Sequence, residues 1–179
     1  MATLLVLAPG RSFSSETAAP EVLIDKGGCP FECCAYRKWK TEQNTTAYAS
    51  PDRNSAIIGT FKAGTTVEGL TGEVHVQRSR FVVNKLYSEY RPGDVLWVYT
   101  YLGEGYFKVW YQGKMCVEEL GFSPYGGSPG KRCEQQPDFC WGELEKELSF
   151  VWWVKVKSSD GWEGWSDQPD NFSNKDECG

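Results

Sequence analysis

Seven cysteines and a single histidine, His75, carry most of the reactive chemistry open to this 179-residue chain. The cysteines are Cys29, Cys33, Cys34, Cys116, Cys133, Cys140 and Cys178. A cysteine hydrolase needs a thiolate beside a histidine that a third polar group orients, so Cys33 or Cys34 with His75 is the only constellation of that kind. A structural zinc site needs paired thiolates at short, regular spacing. Cys29-x3-Cys33-Cys34 and Cys133-x6-Cys140 are not standard zinc knuckles. So many cysteines in so short a chain point instead to disulfides formed in an oxidising compartment, and all seven are candidates. Cys133 and Cys140 flank a loop containing Pro137 and are the best local pair. Cys33 and Cys34 are adjacent and should take different partners, and the odd count leaves one thiol free or intermolecular. No GxSxG, HExxH, phosphate loop or dinucleotide fingerprint appears. The expectation is a chain with no catalytic residue, no metal and no cofactor.

The other unusual resource is aromatic. Phe, Tyr and Trp make up 15% of the chain, with eight Trp, nine Tyr and nine Phe alongside 19 Gly. Disordered chains lack such aromatics, and turn-rich β proteins have them. The net charge is −5 and no Lys/Arg run exceeds two residues, which argues against a phosphate-neutralising nucleic-acid surface. No apolar run approaches the roughly 20 residues that span a bilayer. Thr3-Leu4-Leu5-Val6-Leu7-Ala8, then Ser-rich sequence and Thr17-Ala18-Ala19-Pro20, reads in two ways: a remnant of an export signal without its basic start, or an N-terminal arm or strand. Together with the cysteines, this places the protein outside the cytoplasm: secreted, periplasmic or on the cell surface.

The elements that must hold these residues are strands. In Trp152-Trp153-Val154-Lys155-Val156-Lys157, apolar and charged residues alternate, giving one dry and one wet face. Asp160-Gly161 then offers a two-residue turn into Trp162-Glu163-Gly164-Trp165. By parity Trp152 faces inward with Val154 and Val156, and Trp153 faces water or a partner with Lys155 and Lys157. Trp162 and Trp165 are read as capping or filling the barrel. Further strands are expected at 47–49, 57–61, 65–70, 94–102 and 106–111. Trp141, Leu144 and Leu148 suit either a helix or, preferably, a strand feeding Val151. Phe61-x-x-Gly64-x-x-Val67 and Tyr90-x-x-Gly93-x-x-Leu96 form a faint repeat. The chain divides into an N-terminal arm or signal remnant at 1–28, a Cys-rich leader with the first β units at 29–120, a Pro/Gly/Ser loop at 121–140, and a closing hairpin with a Cys-bearing tail at 141–179.

Two stretches resemble the bacterial Src-homology-3-like domains of extracytoplasmic proteins. Thr46-Ala47-Tyr48-Ala49-Ser50-Pro51 through Ile57-Ile58-Gly59-Thr60-Phe61-Lys62-Ala63-Gly64-Thr65-Thr66-Val67 looks like the front half, and Trp153-Val154-Lys155-Val156 through Asp160-Gly161-x-x-Gly164-Trp165 like the back half. The resemblance covers about a third of the chain. It departs from the family in the roughly eighty residues between the halves, where the family has a few. It implies a mainly β protein, a small barrel with an inserted or duplicated β unit. It also implies a non-catalytic module that recognises a peptide, a cell-wall glycan or a partner protein through an aromatic groove. By match to the family's strand-opening Trp, Trp153 is the groove residue, with Lys155 on its face and Tyr99, Tyr101 and Tyr106 extending the patch. The alternatives are a structural subunit of a surface assembly, with aromatic faces buried between copies in a homo-oligomer, and, remotely, a cysteine hydrolase.

Overall fold

A computed structural model describes residues 18–31, 33–120 and 140–178. Among them, thirteen strands carry the fold: β1 (Val22–Lys26), β2 (Lys38–Thr41), β3 (Thr45–Tyr48), β4 (Ile57–Phe61), β5 (Thr66–Gln77), β6 (Ser79–Val83), β7 (Val95–Gly103), β8 (Tyr106–Tyr111), β9 (Lys114–Glu119), β10 (Gly142–Leu144), β11 (Ser149–Lys157), β12 (Glu163–Ser166) and β13 (Phe172–Ser173). Among the described residues there is no α-helix, and no helix long and apolar enough to cross a membrane. The protein is mainly β: a curled sheet in the order β13-β2-β5-β11-β12-β3-β4, with β1 also paired to β5, and a second sheet in the order β10-β6-β7-β8-β9.

The long strand β5 organises the first sheet. Its partner β11 runs antiparallel beside it from Ser149↔Gln77 to Lys157↔Glu68, with a bulge between Lys155 and Val156. The alternation seen in the sequence sets the faces. Trp152, Val154 and Val156 point into a core with Trp39, Phe61 and Val74. Two glycines of β5 admit the largest rings. A Cβ on Gly69 would lie 2.6 Å from the Trp39 indole, and one on Gly72 would lie 2.3 Å from the Tyr36 hydroxyl and 2.5 Å from Trp152 Nε1. That hydroxyl accepts from Trp152 Nε1 at 3.2 Å and donates to the Gly28 carbonyl at 2.6 Å.

At Arg78 the chain passes from β5 directly into β6 of the second sheet. The Arg78 guanidinium lies 4.2 Å from the Trp97 ring centroid. One face of the second sheet places Trp97, Tyr99 and Trp110 against the first core. The other builds a second core of Phe81, Leu96, Val98, Phe107, Val109 and Trp141. The Trp141 ring stacks on Tyr87 and Tyr90, with centroids 4.5 and 5.2 Å away. The faint repeat marks one equivalent turn in each sheet. Gly64 and Gly93 adopt φ values of 78° and 93°, and Phe61, Val67, Tyr90 and Leu96 are all buried. The front and back stretches of the resemblance meet in one sheet, where Trp165 of β12 pairs with Tyr48 of β3.

Several expectations need correcting. The β11–β12 connection is not a two-residue turn. Lys157 pairs with Glu163, so Ser158–Trp162 forms the loop, closed by Ser158 N–H to Trp162 O at 2.8 Å, with Gly161 at φ 89°. Segment 141–148 takes the preferred strand form only over the short β10, and a link then joins it to β11. Within 1–28, Val22–Lys26 is a sheet strand. Trp162 packs against the first core, stacked on Phe61 at 4.7 Å, whereas Trp165 lies on the outer face. The loop expected at 121–140 lies outside the described residues apart from Cys140.

Cys33 and Cys34 do take different partners: Cys34 bonds Cys29, and Cys33 bonds Cys178. Cys140 is also disulfide-bonded, while Cys133 lies outside the described residues. Cys116 is corrected to a free thiol on β9, because it turns into its own hairpin and donates to the Val109 carbonyl at 3.7 Å. The Cys33–Cys178 bridge spans 145 positions and anchors the tail, whose backbone also pairs through Ala35 N–H to Lys175 O and Glu177 N–H to Cys33 O. Cys178→Ser is expected to lower unfolding free energy by about 2–4 kcal/mol, read by urea titration. A variant as stable as the parent would mean the tail is held by its hydrogen bonds alone.

Candidate inter-sheet binding cleft

Where β1 runs past β7, the two sheets leave an open cleft of about 720 Å³. One wall is the end of β1 and the loop after it, Asp25 to Phe31. The opposite wall is Tyr99 to Gly103 of β7, with Lys108 of β8, and Leu148 and Phe150 close a third side. The Cys29–Cys34 bridge fixes the loop, and Phe31 packs edge-on against Trp152 with centroids 5.7 Å apart. A loop closed by a disulfide and plugged by a ring is a rigid wall, which is what a preorganised site needs.

The cleft mixes apolar rim with polar floor. Leu102 is 47% exposed and Phe150 37%, while Val74 and Val76 are buried behind them. On the floor the half-buried Asp25 carboxylate accepts from the Thr100 hydroxyl at Oδ2 and from Lys108 Nζ at Oδ1. This trio ties β1 to β7 and β8. The Tyr99 hydroxyl donates to the Pro20 carbonyl at 2.5 Å, and burial pushes it above the usual tyrosine range.

Of the sequence-derived site residues, Tyr99 and Tyr101 line this cleft, although the Tyr99 ring is fully buried. The other three lie elsewhere. Tyr106 is exposed on β8, paired with Glu119. Lys155 sits on the outer face of the first sheet in an ion pair with Glu163 at 2.7 Å. Trp153 occupies that same outer face, as parity requires, but the expected exposure is corrected: it is 4% exposed. Tyr48 packs edge-on against it at 5.6 Å from β3, across β12, and His75 lies 6.4 Å away on the neighbouring β5. Asp25, Lys108 and Thr100 were missed, since no local pattern joins residues that meet only through sheet packing.

The cysteines and the histidine expected for hydrolase chemistry are engaged. Cys33 and Cys34 are disulfide-bonded, and His75 Nε2 lies 3.0 Å from Glu73 on β5. Burial pushes the Cys116 thiol up, away from the thiolate form a nucleophile needs. Cys33, Asp176 and Cys178 bring ligand-type atoms within 4.8 Å of one another, but two of the three are the sulfurs of one disulfide. No known protein family matches this chain, and no curated protein or solved structure matches it.

Proposed function

We propose that the protein is a non-catalytic, extracytoplasmic binding module that holds an extended peptide segment of a partner in the inter-sheet cleft. The observation that carries this reading is the composition of the cleft: an exposed apolar rim over a charged floor, with one wall made rigid by a disulfide. A peptide is favoured over a cell-wall glycan because sugar recognition uses open ring faces. Here the tryptophan rings Trp39, Trp152 and Trp153 are buried, and Phe150 shares the exposed rim with the aliphatic Leu102. The disulfides support a location in an oxidising compartment. The Src-homology-3-like resemblance agrees with a β-rich binding module, but the groove residues it implies, Trp153 and Lys155, lie away from this cleft.

Leu102→Asp tests it. The side chain is exposed, so stability should change by less than about 0.5 kcal/mol. Binding to a fluorescent peptide library should fall at least about tenfold, roughly 1.4 kcal/mol. Wild-type protein that binds soluble glycan fragments and no peptide, or a variant that binds peptides as well as the parent, would defeat the reading.

A second reading, as a subunit of a self-assembling surface, is favoured by β4. This edge strand contains no charge or proline, and Ile57 and Ile58 are 68% and 46% exposed. Edges left so unguarded pair with other strands. If copies pair there, light scattering should show a concentration-dependent dimer that Ile57→Lys abolishes, and a monomer at all concentrations would exclude it.

A further inference from the structure

The charged corner of the cleft restricts the chemistry of its occupant. Asp25 is already engaged at both oxygens, one accepting from Thr100 and the other from Lys108. The Tyr99 hydroxyl is committed to the Pro20 carbonyl, and the Gly28 carbonyl to Tyr36. Lys108 differs. An ammonium carries three donors, and among the described residues Asp25 is its one acceptor. Its side chain stays 33% exposed and lines the cleft. Lys26, also in the lining, is exposed and brings a second cation. Two lysines against one carboxylate make the cleft locally positive, in a chain whose net charge is −5. The unspent polar capacity is therefore donor capacity beside an apolar rim, and it calls for an acceptor carrying negative charge.

Building on the peptide reading above, we propose that the cleft selects acidic peptides: a carboxylate docks on Lys108, and a neighbouring apolar side chain lies against Leu102 and Leu148. Lys108 is the specificity-determining residue. Asp25 and Thr100 are positioning residues, holding the lysine stem at the floor so that its remaining donors face the cleft. The carboxylate belongs either to a Glu or Asp side chain or to a chain terminus.

Three fluorescent octapeptide pools test this by anisotropy: Leu/Glu sequences with an amidated end, Leu/Gln sequences with an amidated end, and Leu/Gln sequences with a free terminal carboxylate. Wild-type protein should bind at least one carboxylate-bearing pool about tenfold or more tighter than the neutral pool, and which one identifies the source of the charge. The preference should shrink as NaCl rises from about 50 to 300 mM. Lys108→Met should abolish the preference and Lys108→Arg should keep it. Melting curves of both variants confirm that each is folded. Equal binding of all three pools, lost in Leu102→Asp, would overturn acidic selection while leaving the peptide cleft standing. Binding of none of them to the wild type would overturn both.

Discussion

Val156→Asp is expected to leave no folded protein at room temperature. Val156 is fully buried on β11, between Gly69 of β5 and Gly164 of β12. The two glycines leave no polar side chain beside it, and the Trp39 ring already fills the space over Gly69. A carboxylate placed there has neither water nor a cation. Such burial costs several kcal/mol, or forces the group neutral at similar cost. That is comparable to the whole stability of a domain, about 5–15 kcal/mol. Lys155→Asp, one residue away, loses an exposed ion pair with Glu163 and should cost about 1 kcal/mol or less. Circular dichroism melts decide the matter, and equal midpoints for the two variants would refute the assignment of faces.

Trp153→Ala should destabilise as much as Trp152→Ala, about 3–5 kcal/mol each. Trp152 loses edge contacts to Phe31, Tyr36 and Trp39 and a hydrogen bond to the Tyr36 hydroxyl. Trp153 loses the Tyr48 and His75 contacts on the opposite face, where a cavity would open beneath side chains of β3 and β5. Urea titrations of both variants measure this. A Trp153→Ala protein within about 1 kcal/mol of the parent would mean the outer face is open to solvent, and would revive Trp153 as a contact site.

The two tryptophans also mark how far the sequence reaches. Period-two alternation assigns each residue of 152–157 to a face, because that is local backbone geometry. Whether the outer face is covered depends on Tyr48, about a hundred residues earlier, and alternation carries no information about it. β4 and β8 are legible to the residue because turn glycines and tight loops bound them. β1 is not. Val22–Lys26 has no alternation of its own and becomes a strand through pairing with Glu73–Gln77. The adjacency of Cys33 and Cys34 forced separate partners, yet nothing local identified Cys178, 145 positions away. The cleft was least visible of all: Asp25 and Lys108 are 83 residues apart and meet only because the second sheet folds back onto β1. Tyr99 and Tyr101 were singled out only through their strand's aromatic content, which suits a core as well as a site, and Tyr99 is buried in the core.

The most direct test of the cleft is an amide chemical-shift titration of the ¹⁵N-labelled protein with the Leu/Glu peptide pool. The predicted result is shifts concentrated at Asp25–Phe31, Thr100–Gly103 and Lys108, with Ile57–Phe61 and the outer face around Trp153 and Lys155 unmoved. Shifts centred on Trp153 and Lys155, or none at the cleft while peptide is bound, would contradict it.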